Sequence, residues 1–428
     1  VFFNTGLDEH GLKVFNKSLE LGLDIHDYLN SLQNEWISFC KEFKIDYDNF
    51  YRTSDTTHHL KVQIIWKKFL ERGDIYKKNY QGKYCIGCES FKTDKDLIDN
   101  KCNEHTNLDL KIVNEDNYFF KLSKYKDELT NWINSNSEFI EPSNKLNELK
   151  NLILESDDIS ISRLKSNCPW GVEVPDDSEH VIYVWFDALW NYALSAGYLT
   201  PNFKWENTIQ LCGPDNLRFQ GVIFQSFLKS ENINYTNKLL VHGTILDKDG
   251  QKISKSLGNT IDPLEQLNKF GLTSIRYYLI GGLSTYGNSN WNEEDLIKLY
   301  NSDICNDWGN LIARVLHLID TKSNSVINNP DDNFMKLISD YKLKIDNNWN
   351  EYKFRDVCFI INELVKIGNK YINDEKPWSN DSYIQVLSNL YYLISNVNEF
   401  YYPIIPNTYE DVKNAIQSKK KHILFNKI

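Results

Sequence analysis

Apolar residues recur at spacings of three and four through residues 300 to 400, with no strand-like alternation, and this periodicity predicts a bundle of helices over 300–428. The front of the chain is patterned differently. Val1 to Asn4 reads as a strand end entering a Gly-bounded turn, Leu12 to Leu21 as the helix that follows, and residues 27 to 72 as helical up to a break at Gly73-Asp74. Strand, turn and helix in that order form the unit of a doubly wound nucleotide-binding sheet, which takes its ligands beyond the carboxyl ends of its strands. Val181 to Trp185, Ile209 to Cys212 and Leu239 to Val241 are short apolar runs suited to buried parallel strands, so the sheet is expected to resume there, and a largely apolar strand over Leu239 to Ile245 is expected to lead on from it. Between the halves, residues 73–175 switch to short strands and turns, the pattern of an insertion. Asp262 to Tyr278 and the segment from Glu293 read as helical, and Asn324 to Asn333 as an exposed connection.

The predicted organisation is therefore an α/β chain. A Rossmann-like parallel sheet occupies 1–72 and 176–245, an insertion fills 73–175, a loop-bearing region spans 246–299, and a helical domain covers 300–428. At 428 residues the chain is too long for one core, and 41% hydrophobic and 14% aromatic residues suffice to build several. No apolar run approaches the roughly eighteen residues of a membrane span. The net charge of −11 weighs against an extended nucleic-acid footprint, yet lysine-rich patches such as Lys419 to His422 leave room for local contacts with RNA. The chain opens at Val1-Phe2-Phe3 with its only Met at 335, which reads as a start inside an apolar strand and predicts a preceding segment.

Two motifs carry chemistry. In Gly250-Gln251-Lys252-Ile253-Ser254-Lys255-Ser256-Leu257-Gly258-Asn259, two lysines alternate with two serines on a glycine-bounded loop. Ammonium groups follow phosphate oxygens as charge develops, and hydroxyls donate without adding negative charge, so the loop is suited to polyphosphate; taken alone it would read as a solvated surface loop. In the insertion, Cys85-Ile86-Gly87-Cys88 and Cys102-Asn103-Glu104-His105 bring four soft ligands in two close pairs. A closed Cys3His set leaves no position for a reacting water, so Cys85, Cys88, Cys102 and His105 are predicted to hold a structural zinc ion. The dispersed Cys40, Cys168, Cys212, Cys305 and Cys358 read as core or free thiols of a reducing compartment.

The lysine loop resembles the signature loop of class I aminoacyl-tRNA synthetases, with Ile253 where methionine is commonest. Asn4-Thr5-Gly6-Leu7-Asp8-Glu9-His10-Gly11 and Tyr183-Val184-Trp185-Phe186-Asp187-Ala188 resemble two further signatures of the methionyl-tRNA synthetase family, in that family's order and spacing, and the likeness runs to about residue 400. The resemblance implies a methionine–tRNA ligase with ATP as substrate, Mg²⁺ on the phosphates, structural Zn²⁺ in the insertion, and tRNA(Met) as partner. Lys252 and Lys255 would be catalytic, and Asp215, His242, Gly243 and Ser254 would join them in binding ATP. Asp8 would meet the substrate ammonium beside His10, and Trp185, Ala188, Tyr192, Phe219, Gln220 and Phe224 would line an apolar methionine pocket. Asn310, Arg314 and Trp378 would read the anticodon with an amide, a guanidinium and an aromatic plane.

Leu7 stands where the family has Thr, Pro214 where it has Lys, and Gln220 where it has His, and these departures bear on side-chain selectivity. In the family the segment before Val1 holds a His-x-Gly-His motif that binds ATP phosphates, and no such motif occurs in this chain. Its absence motivates an alternative reading, a catalytically incomplete tRNA-binding fragment. A class I synthetase for another amino acid would call for a larger editing insertion or a catalytic zinc, and neither is evident. A bare zinc-knuckle interaction module would leave the lysine loop and the bundle unexplained. The expected compartment is a bacterial cytoplasm, with the mitochondrial matrix as the alternative, and a monomer is favoured.

Overall fold

Val62, Ile65, Trp66 and Phe69 repeat at three and four along the helix Thr56–Glu71, and all four are fully buried. Phe69 meets Phe186, Trp190 and Phe227 edge-on at ring-centroid distances of 5.5, 5.9 and 5.9 Å, so this stripe seats the helix on Val184–Ser195 and Phe224–Ser230. The computed structural model describes residues 1–428 except 88–89, 93–96, 104–106, 255–257, 323–325, 380 and 421–423. It divides into two units, Val1–Val241 and His242–Ile428.

In the first unit the parallel strands come in two hydrogen-bonded pieces. Asn4–Leu7 pairs with Asn49–Arg52, and Ile209–Cys212 pairs with Lys238–Val241, which also pairs with Ile140–Glu141. Residues 73–175, expected from the sequence to form an insertion, contain a long antiparallel pair, Ile75–Cys85 with Lys111–Phe120, whose register runs from Ile75 opposite Phe120 to Tyr84 opposite Lys111, although Ile140–Glu141 of the same range belongs to the parallel strands. In the second unit, Ile245–Leu246 pairs in parallel with Ser289–Asn290, and helices follow at Glu293–Leu299, Asn310–Lys322, Asp332–Asn350, Phe354–Glu375, Tyr383–Tyr401 and Pro406–Ser418. Trp308, Leu311, Val315, Ile361, Leu364 and Leu393 are fully buried among these helices, in agreement with the three–four periodicity. Among the described residues no helix is long and apolar enough to cross a membrane.

Four local expectations are corrected. Residues 27 to 72 are not continuously helical, because Asn49–Arg52 is a strand whose partner, Asn4–Leu7, lies far away in sequence and leaves no trace in local periodicity. The run Val181 to Trp185 is not a parallel strand. Asp177–Ile182 pairs antiparallel with Ser162–Leu164, and after Tyr183 the same apolar run continues as the helix Val184–Ser195. Leu239 to Ile245 is broken after Val241, and Asp262 to Tyr278 is split by Gly271, whose φ of 81° ends one helix and starts the next.

Candidate active site

The turn after Asn4–Leu7 is fixed by backbone demands. A Cβ on Gly6 would lie 2.0 Å from the Tyr51 carbonyl oxygen, so only glycine lets the two parallel strands approach. Gly11, at φ 102°, turns the chain into the helix Leu12–Glu20, and its N–H donates to the Trp170 carbonyl. Glu9 is buried and bolts this turn to the end of Asn49–Arg52: Arg52 donates to both its carboxylate oxygens at 2.9 and 3.1 Å, and the Ser54 hydroxyl donates at 2.6 Å. Asp8, between the strand end and this anchor, is solvent-exposed at the carboxyl edge, where doubly wound sheets take ligands.

His10 is not a free neighbour of Asp8. Its Nδ1 lies 3.1 Å from Oδ2 of the fully buried Asp187, and its Nε2 lies 3.1 Å from His59 Nε2. On the other side of Asp187, His58 Nε2 is 3.6 Å from Oδ1, and His58 Nδ1 is 2.9 Å from the Tyr51 hydroxyl. Burial alone would raise Asp187, but His10 and His58 outweigh it and hold the carboxyl below its usual range. Burial, reinforced by His10, lowers His59 to about 4 from 6.5. The sign follows directly: between 6.5 and about 4 the unfolded chain binds a proton at His59 that the folded chain does not, so stability falls as pH falls through that window. His59→Gln is expected to flatten that part of the melting-temperature profile relative to wild type; parallel profiles would contradict the assignment.

The apolar pocket residues are brought together. Trp185, Ala188 and Tyr192 occupy one face of Val184–Ser195, and Trp185 stacks on Phe219 at 3.9 Å and 12°. Gln220 is 4% exposed and donates through Nε2 to the Tyr192 hydroxyl at 3.0 Å. Burial, then the charges of Cys212 and Asp8, push the Tyr192 phenol up to about 12, so it stays protonated beside the carboxylate. Phe224 is fully buried among Trp190, Tyr192 and Trp205, a core position. Asp215 is exposed in the short turn Pro214–Asn216 just beyond Ile209–Cys212, again at a carboxyl edge.

In the second unit His242 is exposed, with Nδ1 2.8 Å from the Gly243 carbonyl. Lys252 is exposed and its backbone pairs with Leu246, while the Ser254 N–H donates to the Asn259 side chain at 2.9 Å; Lys255 lies outside the described residues. Farther along, Asn310 and Arg314 share the helix Asn310–Lys322, and Arg314 donates to Asn373 at 2.6 Å. Trp378, 44% exposed just past Phe354–Glu375, accepts from Lys322 at its carbonyl. Of the four predicted zinc ligands, Cys85 and Cys102 are fully buried, and Cys88 and His105 lie outside the described residues.

A family model described as "tRNA synthetases class I (M)" matches residues 1–316. The chain belongs to this class I tRNA synthetase family. The methionine–tRNA ligase of Clostridium tetani is 36% identical over 97% of this chain and 67% of its own length. That of Nostoc sp. is 34% identical over 95% of this chain and 81% of its own. Among solved structures, Mycobacterium tuberculosis methionyl-tRNA synthetase in complex with methionyl-adenylate superposes with a TM-score of 0.91 at 27% identity, over 97% of this chain and 86% of that one. In this class I synthetase the sequence reading missed the system that joins His10 to Tyr51, His58, His59 and Asp187. The adjacent histidines and the aspartate inside the third signature were visible, but only the fold joins residues from the three segments at 10, 51–59 and 187.

Proposed function

We propose that this chain activates methionine with ATP to give methionyl-adenylate and passes the methionyl group to tRNA(Met). The observation that carries this reading is the likeness, over almost the whole chain, to a synthetase solved with methionyl-adenylate. The side chains support it. A thioether offers dispersion and a weak acceptor, and the Trp185–Phe219 stack with the Tyr192–Gln220 pair supplies apolar walls and one polar contact. Asp8 takes the substrate ammonium. Tyr192 and Gln220 form the selective end of the pocket, and because Gln220 does not titrate, that end keeps one protonation state across the physiological range.

Activation needs the methionine carboxylate to attack the α-phosphate, with pyrophosphate leaving. No protein nucleophile is required, so Lys252 and Lys255 work by stabilising charge on the phosphates. Asp215 contacts the nucleotide ribose, and His242, Gly243 and Ser254 complete the ATP site. Mg²⁺ bound with ATP would neutralise phosphate charge. A zinc ion would be held by Cys85, Cys88, Cys102 and His105 and would fix the insertion's shape; the full burial of Cys85 and Cys102 suits closed structural ligation. Asn310, Arg314 and Trp378 read the anticodon. The compartment is a bacterial cytoplasm, with the mitochondrial matrix as the alternative. Charging of tRNA(Met) with radiolabelled methionine by the full-length protein tests the whole reading. Stable methionyl-tRNA supports it, and tRNA binding without charging overturns it.

A further inference from the structure

The lysine loop closes on itself through two side chains twelve residues apart, Asp247 and Asn259. Asp247 Oδ1 accepts the N–H groups of Asp249 and Gln251 at 3.0 and 2.8 Å, and its Oδ2 accepts from Asn259 Nδ2 at 2.7 Å. The same Asn259 amide takes the Ser254 N–H on its oxygen at 2.9 Å and reaches the Lys252 carbonyl with its nitrogen at 3.2 Å. Both carboxylate oxygens of Asp247 and both ends of the Asn259 amide are thereby engaged. The hydrogen bond from Asn259, followed by that from the Gln251 amide, holds the Asp247 carboxyl below its usual range, so it is an ionised acceptor at neutral pH. An aspartate that caps its own turn is ordinary. The contact across to Asn259 is not local, and it grips the backbone on both sides of Ile253, at the Lys252 carbonyl and the Ser254 N–H.

We propose that Asp247 and Asn259 form a clasp that presets the backbone carrying Lys252 for the activation step, both acting as positioning residues that do not touch substrate. The inference rests on the polyphosphate role assigned to this loop above. A catalytic cation delivered by an unbraced loop must be ordered anew in each turnover, and that cost falls on the chemical step; a braced loop arrives with the backbone already placed. Methionine binding, which the lysines do not serve, should be indifferent to the clasp.

The polarity of the pair supplies the test. Asp247→Asn turns the Oδ2 acceptor into a donor facing the Asn259 donor, and Asn259→Asp sets a carboxylate against a carboxylate. Each single variant is expected to lower kcat of methionine-dependent pyrophosphate exchange by about ten- to a hundredfold, the scale of misplaced catalytic groups, with the dissociation constant for methionine and the melting temperature unchanged. The double variant Asp247→Asn, Asn259→Asp restores the contact between the two side chains alone: the new amide at 247 donates to the new carboxylate at 259, which still accepts the Ser254 N–H but no longer donates to the Lys252 carbonyl, so a rate clearly above the product of the singles is expected. Net charge is that of wild type, so recovery of kcat reports the contact itself. Single variants at the wild-type rate, or a double variant as slow as the product of the singles, would overturn the clasp while Lys252→Ala remains inactive. Full activity of Lys252→Ala would remove the functional reading underneath, and the clasp with it.

Discussion

Replacing Lys255 with alanine is expected to slow methionine-dependent pyrophosphate exchange by about two orders of magnitude or more, the loss seen when one preorganised charge-stabilising donor is removed from a reacting centre. The size follows from what the reaction lacks. With no covalent nucleophile to remove, in-line attack on the α-phosphate depends on holding the reactants and neutralising the charge that spreads over the phosphate oxygens. A lysine ammonium does this as a mobile point charge and is worth most when charge is greatest, at the transition state, so the deficit should appear in kcat. The fold should survive, because the neighbouring Lys252 is exposed and belongs to neither buried core. An unchanged exchange rate with Lys255→Ala would exclude the role.

Trp378→Ala should separate the two halves of the enzyme's work. Trp378 is 44% exposed, as Trp36 is at 49%, whereas Trp66, Trp190 and Trp308 are completely buried. Its carbonyl is held by Lys322, and nearby Asn373 holds Arg314, so the helices Asn310–Lys322 and Phe354–Glu375 present an aromatic plane and a guanidinium on one unit. Stacking of a splayed base on an aromatic side chain is worth about 1–3 kcal/mol, so kcat/KM for tRNA charging should fall by roughly five- to 150-fold. Adenylate formation, which involves no anticodon, should proceed at the wild-type rate. Equal loss of both activities would mean that Trp378 supports the fold and does not read RNA.

Much of this protein was legible where function is written locally. The lysine loop, the turn at Asp8 to Gly11 and the four-residue spacing of Asn310 and Arg314 each occupy one short segment, so the resemblance to a known family could single them out where residue types alone would read as ordinary turns and helix faces. The helical second unit followed from a periodicity sustained over a hundred residues. What escaped depended on distant partners. Asn49–Arg52 becomes a strand because Asn4–Leu7 lies beside it, and within a helix-like stretch nothing announces that partner. Trp185 seemed to sit on a strand because a short apolar run fits a buried strand and a buried helix equally, and only the antiparallel pairing of Asp177–Ile182 decides where one ends. His10 was read beside Asp8 by sequence adjacency, whereas its contacts are with Asp187 and His59, 177 and 49 residues away. Asn259 ends the lysine-loop motif, and its bond back to Asp247 is invisible to any pattern of spacing.

Amino-acid-dependent pyrophosphate exchange, run on the full-length protein with each of the twenty amino acids in turn, asks most directly whether this chain selects and activates methionine. Exchange should be strong with methionine and at background with leucine, isoleucine, valine and cysteine, with the Tyr192–Gln220 end of the pocket supplying the discrimination. Background exchange with methionine, or faster exchange with any other amino acid, would contradict it.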